Sequence, residues 1–334
     1  MLKLRSFYAV CFWSCWLSVS HAVAQAPAVT VSNVRRVYHN GEHNAFTDMI
    51  RFHERFYLTF RSCPDGHMVH PTSSIRVLAS DDLGKWQEVF SFSVPLRDTR
   101  DPHFLEFNSQ LFVFTGTWYS GETTLPRNEY DLNKHLGYAV SSADGVQWSA
   151  PRMLEGTFGH YIWRASTYDG KAYLCGRRKH EFDVRPRGEG PQVESAMLVS
   201  EDGWVWKTHS LFQEIHGDET AFQFDADGSM LAVARRGSDR AELLRSQPPF
   251  KQFEHTDLDR YIGGPLLTRW GDRWLVGMTL FRMRVVPWHA LEVARVIEIS
   301  DSHTLDDLHG AIQRGFELDD DHMYAFFMNS HLWD

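Results

Sequence analysis

One short phrase occurs three times along the chain, as Ser80-Asp81-Asp82-Leu83-Gly84-Lys85-Trp86, Ser142-Ala143-Asp144-Gly145-Val146-Gln147-Trp148 and Ser200-Glu201-Asp202-Gly203-Trp204-Val205-Trp206. Each copy has Ser, Asp two places on, a Gly soon after and Trp in seventh place. The tryptophans are 62 and 58 residues apart. A fixed phrase at near-constant spacing marks a repeat architecture, so the chain must be read as units. The Asp side chain suits a turn because it can accept bonds from nearby backbone N–H groups. The Gly tolerates left-handed backbone, and the Trp returns a large apolar face to the gap between strands. These are stability roles, which makes Asp82, Asp144 and Asp202 poor catalytic candidates.

A second element recurs with the first. Apolar runs flank polar turns at Phe52–Tyr57, Phe107–Leu111, Tyr168–Tyr173, Phe224–Met230, Trp270–Trp274 and Leu318–Met323. Each reads as a β-hairpin. In the first three units a further strand follows, at Ile75–Ser80, Gly137–Ser142 and Ser195–Ser200, and runs into the Asp-turn phrase. The unit is then a small antiparallel sheet of about four strands. Such sheets leave both faces apolar and their edges free, and radial stacking covers both. The expectation is an all-β, β-propeller fold with four-stranded antiparallel blades. Six blades fit best, with five or seven open. A β-sandwich is the rival, but it gives no reason for one phrase at the same place in each unit.

The first residues read differently. Lys3 and Arg5 precede an apolar run from Phe7 to Val19, and Ala22, Ala24 and Ala26 follow. This is the pattern of a secretory signal peptide over 1–26, too short for a membrane helix. The remainder, 27–334, is expected to be a single propeller domain, secreted or periplasmic, with no transmembrane anchor after cleavage. Loss of Lys3 and Arg5 takes the formal charge from −9 to about −11. No basic cluster suits a phosphate backbone, so nucleic acid is not an expected partner. Of four cysteines, Cys63 and Cys175 remain, as buried thiols or as one disulfide.

The Asp-turn phrases resemble the Asp-box, or BNR, repeats of sialidase-like propellers, whose phrase is Ser/Thr-x-Asp-x-Gly-x-Thr-Trp/Phe. The copies here are shortened and lack its Thr. The ordered segments His43-Asn44-Ala45-Phe46-Thr47-Asp48, Tyr57-Leu58-Thr59-Phe60-Arg61, Arg100-Asp101-Pro102, Glu219-Thr220 and Gly263-Gly264-Pro265 extend the resemblance over nearly the whole mature chain. More distantly, the chain is similar to rhamnosyl-glucuronate-cleaving and ulvan lyase propellers. The resemblance implies a carbohydrate-active enzyme. The sialidases' three-arginine clamp and Tyr–Glu pair have no residue-by-residue match here.

In a propeller the first strands of the blades converge on one axis, so unit openings can meet across large sequence distances. The openings offer His43, Asn44 and Asp48, then Arg100, Asp101 and His103, then Tyr161, Trp163 and Arg164, then Glu219 and Thr220, then Tyr261 and Gly264. His331 stands at the chain end. Arg61 closes a strand, and His67 and His70 lie in the loop after it. Such a rim suits an anionic oligo- or polysaccharide. Arg binds carboxylate through paired bonds, aromatic faces cover sugar rings, and His exchanges protons near neutral pH.

Two chemistries compete. In β-elimination, His43 would take the proton beside a uronate carboxylate, Tyr161 would protonate the leaving sugar, and Arg100 or Arg164 would neutralise the carboxylate. In hydrolysis, Asp48 or Asp101 would pair with Glu219. Elimination is slightly favoured by the lyase resemblance. Asp48 and Asp101 fit equally well as braces for Arg61 or Arg100, and Glu219 as a structural acceptor. A non-catalytic glycan-binding propeller is the third reading. No cofactor is required, and structural calcium or zinc stays open. His67, His70 and Cys63 lack the spacing and the fourth ligand of a zinc site.

Overall fold

The computed structural model describes residues 36–185, 192–271, 273–278, 280–285 and 295–300. From Val37 onward the described residues belong to one compact unit. Its strands alternate with polar turns, as the hairpin pattern requires. The first sheet is a meander of β1 (His43–Phe52), β2 (Arg55–Cys63), β3 (Ser74–Ser80) and β4 (Gln87–Phe92). The second contains β5 (Arg97–Phe107), β6 (Gln110–Tyr119), β7 (Leu136–Ser142) and β8 (Arg152–Met153). The third contains β9 (Tyr161–Tyr168), β10 (Lys171–Lys179), β11 (Val193–Ser200) and β12 (Lys207–Gln213). The fourth contains β13 (Thr220–Phe224), β14 (Met230–Arg236), β15 (Asp239–Ser246) and β16 (Glu254–Asp257).

Two hairpins follow, β17 (Leu266–Trp270) with β18 (Arg273–Gly277) and β19 (Leu280–Val285) with β20 (Arg295–Ser300). The described residues thus complete four blades of the propeller. Five of the six expected hairpin turns are present, and the sixth, Leu318–Met323, lies outside the described residues.

Strand alternation explains how the sheets stack. On β5 and β6, Phe104, Leu111 and Val113 face Phe52, Tyr57, Ile75 and Val77 of the first blade. Their neighbours Leu105, Phe112 and Phe114 face Ile162, Leu174 and Leu198 of the third. The third blade turns Trp163, Tyr173 and Met197 toward Phe222, Met230 and Leu244 of the fourth. Ala221, Leu231 and Val233 of the fourth meet Leu267 on β17. Both faces of a sheet are buried against different neighbours, at roughly 1.5–3 kcal/mol for each large apolar side chain. Cys63 and Cys175 are buried free thiols.

The repeated turns join the third and fourth strands of blades one to three. Asp82 Oδ1 accepts from the N–H groups of Gly84 and Lys85, Asp144 Oδ1 from Val146 and Gln147, and Asp202 Oδ1 from Trp204 and Val205. The seventh-place Trp donates its indole N–H to Leu83, Gly145 or Gly203. The phrase also bonds neighbouring blades together. Trp148 stacks on Phe90, and Trp206 meets Phe114 edge-on. A Cβ on Gly145 would stand 1.9 Å from the Tyr57 hydroxyl oxygen of the preceding blade. In the fourth blade buried Phe250 takes this place, against Tyr168 and Tyr173.

Candidate active site

First strands β1, β5, β9, β13 and β17 all contribute to one axial channel of about 320 Å³, lined among others by Asp48, His103, Arg164, Gln223 and Thr268. Asp48 Oδ1 accepts from Arg164 Nη1 at 3.0 Å, and its other oxygen accepts from the Phe104 N–H at 2.9 Å. Arg164 also donates to Pro265 O at 3.0 Å. Burial opposes the charged form of Asp48, but His103, Arg164 and the Phe104 N–H outweigh it and hold the carboxyl at about 2. His103 is fully enclosed, 3.6 Å from Asp48 and edge-on to Trp163. Burial first, then Arg164, lowers its pKa to about 4. Asp48, His103, Trp163 and Arg164 are therefore committed to the axis. Asp48 does brace an arginine, but the partner is Arg164 rather than Arg61 or Arg100.

At the end of the axis where the first strands begin, a second set of side chains gathers. Arg61, near the end of β2, has its side chain fully buried and donates to Asp98 Oδ1, Gly66 O and Met68 O at 2.9, 2.9 and 3.0 Å. Arg100 takes the other Asp98 oxygen through Nε at 2.9 Å and donates to His67 O at 2.8 Å. Asp98 is thus the shared brace of both arginines, a role the sequence reading gave to Asp48 or Asp101.

Asp101 is left without such duty. Arg100 pairs with Gly116 and His103 with Phe114, so Asp101 and Pro102 bulge opposite Thr115. Asp101 sits at φ 50°, a left-handed conformation that Asp and Asn tolerate better than other non-glycine residues. It is 3% exposed, and among the described residues its carboxyl makes no hydrogen bond. Burial, joined by Glu219 and Asp98 against the pull of Arg100, pushes it up to about 7.

Glu219 approaches from the head of the fourth blade. Its Oε2 accepts from Arg235 Nη1 at 3.1 Å and from the Gly264 N–H at 3.2 Å. Burial and Asp218 raise its pKa, while Arg235 and Arg177 act the other way. Asp218 in turn accepts from Arg177 and lies 3.3 Å from Arg235 Nε. Arg235 covers the Tyr261 ring at 5.4 Å.

Tyr161 opens the third blade and is 4% exposed. Arg177 lies 5.3 Å above its ring, His135 packs 4.9 Å away, and its phenol makes no hydrogen bond among the described residues. The ring fits because the second blade has Gly116 there, where an added Cβ would come within 3.0 Å of it. His43 stands at the start of β1, its Nδ1 3.4 Å from Arg61 Nη1, and its ring meets His67 at 5.1 Å.

The remaining candidates do structural work or stand apart. Thr220 is buried against Ser195, with the hydroxyls 2.9 Å apart. His70 is buried against Thr124 at 2.7 Å. Asn44 is exposed and bonds Asn40. His331 lies outside the described residues. Arg177, Arg235, Asp98 and His135 are additions that the unit-opening rule did not supply. Three of the arginines share a signal: Arg61, Arg177 and Arg235 each stand four residues after Tyr57, Tyr173 and Leu231 of the repeated hairpins. Among the described residues no group of three or more His, Cys, Asp or Glu is arranged to hold a metal ion.

No family model matches the chain, and no curated protein matches it. Among solved structures it is similar to a protein of unknown function from Dyadobacter fermentans, with 18% identity over 81% of this chain and 83% of that one, TM-score 0.60. It is similar to Zg3597, a family 117 glycoside hydrolase of Zobellia galactanivorans, with 12% identity over 67% and 72%, TM-score 0.50. It is similar also to the Trypanosoma rangeli sialidase in complex with sialic acid, with 13% identity and TM-score 0.52, over 72% of this chain but 43% of the sialidase. At such identities the likeness is one of fold, and the fold these comparisons show is a β-propeller that glycoside hydrolases also use.

Proposed function

We propose that the chain is an exported glycoside hydrolase, with Asp101 as general acid and Glu219 as general base. One observation carries the reading. Two largely buried carboxyls at blade openings both have their pKa raised, and the charge of Glu219 contributes to the rise of Asp101. Environments that keep one carboxyl protonated and supply the other with donors define an acid–base pair. Asp101 has no donor and is held protonated up to about 7. Glu219 has two donors that favour its ionised form.

In the reaction Asp101 gives its proton to the glycosidic oxygen as the bond from that oxygen to the anomeric carbon breaks. Glu219 takes a proton from water as the water oxygen bonds to that carbon. The oxocarbenium-like charge that develops between them is flanked by the two carboxyl groups. The products are a reducing sugar and the freed alcohol, and solvent exchanges the proton back.

The elimination reading keeps an observation of its own, the unbonded Tyr161 phenol beneath Arg177. It loses the support of Arg164, which is fixed in the axial channel by Asp48 and Pro265. A product-resolved screen against an oligosaccharide panel separates the readings. Hydrolysis adds the mass of one water and gives a saturated reducing end. An unsaturated uronate product without that added mass would replace this proposal with elimination, and saturable binding without any product would leave a binding module.

A further inference from the structure

Beside Asp101 two guanidinium groups converge on one carboxylate. Arg61 and Arg100 share the single carboxylate of Asp98. Neither Glu42 nor Asp65 pairs with them among the described residues: Glu42 accepts from Ser62 Oγ and Asp65 from Thr72. Each of the three nitrogens of Arg61 has a partner in the protein, His43 among them. Arg100 differs. Its Nε and Nη2 are bound to Asp98, His67 O and Met68 O, whereas Nη1 has no partner among the described residues.

The surrounding side chains set the tautomers and walls of this corner. Arginine can only donate, so His43 Nδ1 is the acceptor at 3.4 Å and Nε2 carries the ring proton. Partial burial, then Arg61 and Arg100, lower the His43 pKa and keep it neutral. The Phe46 ring backs the Arg100 guanidinium at 5.4 Å and meets the His67 ring at 5.5 Å. His67 in turn meets His43 at 5.1 Å. Phe46 is held with φ 60°, within the irregular register of β1 between Ala45 and Asp48.

We infer that Arg100 Nη1 and His43 Nε2–H, enclosed by Phe46 and His67, form an anion subsite for a carboxylate or sulfate ester on the glycan. The subsite rests on the proposed hydrolase only for its position, next to the Asp101 acid. It predicts that the sugar bound beside the cleaved bond is charged. Charge-assisted bonds from a guanidinium are about twice as strong as neutral ones, so the anion contributes affinity as well as register.

The test is binding of monosaccharides that have no bond to cleave. Calorimetric or NMR titration of the whole protein with glucuronate and with galactose 6-sulfate is compared with glucose and galactose. The expected result is at least about tenfold tighter binding of one anionic sugar over its neutral counterpart, the margin a charge-assisted bond supplies. The two anions distinguish a carboxylate site from a sulfate site. Arg100→Gln, with its melting temperature checked, should lose that preference and keep the neutral affinity. His43→Gln should reduce the preference several-fold, and serves alone if Arg100→Gln does not fold. Equal binding of charged and neutral sugars by the native protein, retained preference in the variants, or no saturable binding of either anion would each overturn the subsite. Because nothing is cleaved, an anion preference in a protein with no glycosidase activity would keep the subsite and remove the hydrolase reading instead.

Discussion

Arg164 reaches from the third blade to Asp48 on the first, closing a 3.0 Å ion pair across the propeller axis, 116 residues apart in sequence. Both side chains are 15% exposed. Asp48→Asn removes the charge partner and leaves the guanidinium in the channel. Breaking a buried pair on one side costs about 3–5 kcal/mol, and partial exposure puts the expected loss near the lower end. Urea denaturation of the native protein and of Asp48→Asn checks this. An Asp48→Asn loss below roughly 1 kcal/mol would reduce the pair to a surface-type contact.

Acid should weaken the fold in two steps. His103 has its pKa lowered to about 4 in the folded state. Its contribution is complete above the unfolded value near 6.5 and is lost as pH falls toward 4, because the unfolded chain takes up the proton first. Asp48, held at about 2, adds a loss between about 4 and 2. Melting temperature measured from pH 7 to about 2 should fall through both windows. His103→Gln should flatten the upper one.

Asp101 should trade stability for activity. Its folded pKa of about 7 lies above the ordinary 3.8, so the folded state loses stability as pH rises through that interval. At pH 8 Asp101→Asn should be more stable than the native protein by up to roughly 4 kcal/mol, at 1.36 kcal/mol per unit. The gap should close below pH 4, and Asn also accepts the left-handed backbone. Chemical denaturation at both pH values measures it.

The same variant should lose activity on unactivated glycosides by about 10²–10⁴-fold, the range for one acid–base group. A substrate whose leaving group needs no proton should recover most of that loss with Asp101→Asn but none with Glu219→Gln. The native rate should fall above about pH 7, where Asp101 ionises, and on the acid side, where Glu219 is protonated. Equal recovery with both variants would reverse or dissolve the assignment.

Two glycines of the repeated turns should respond unequally. Gly145 has φ 72°, and a Cβ there collides with Tyr57 of the neighbouring blade. Gly84 meets only the Asp82 side chain, at 3.2 Å. Gly145→Ala should cost at least about 3 kcal/mol from strain and overpacking together. Gly84→Ala should cost less than about 1 kcal/mol. Thermal melts of the two variants give the comparison.

The fold was legible because its punctuation is local. An Asp two places after a Ser meets its own turn, and a Trp six places after that Ser closes it, whatever lies elsewhere. The apolar alternation on β5 and β6 likewise states that two different neighbours are needed. The site was legible only in part. Asp101, Glu219 and Tyr161 stand at unit openings and could be named from the repeat. Their surroundings come from other blades. Nothing near Asp98 in sequence reveals that Arg61, 37 residues earlier, ends against it. Asp218 and Arg177 are 41 residues apart and meet only because adjacent blades turn their second and first strands together. For Asp48 the repeat suggested a carboxylate at the rim, but the β1 irregularity carries it down into the axis.

One position in the hairpins has a consequence for how this protein can change. The second strands of the first, third and fourth blades place Arg61, Arg177 and Arg235 at matching points, while the second blade has Gly116. The second, third and fourth sheets have separate apolar contacts on either side, so this point can be exchanged in one of them without repacking the others. Gly116 opens floor space for an aromatic ring, and an arginine would fill that space with charge. The propeller is therefore a set of separately addressable sockets around one axis. New side chains can be introduced at this point blade by blade while the folding signals at the outer turns stay constant.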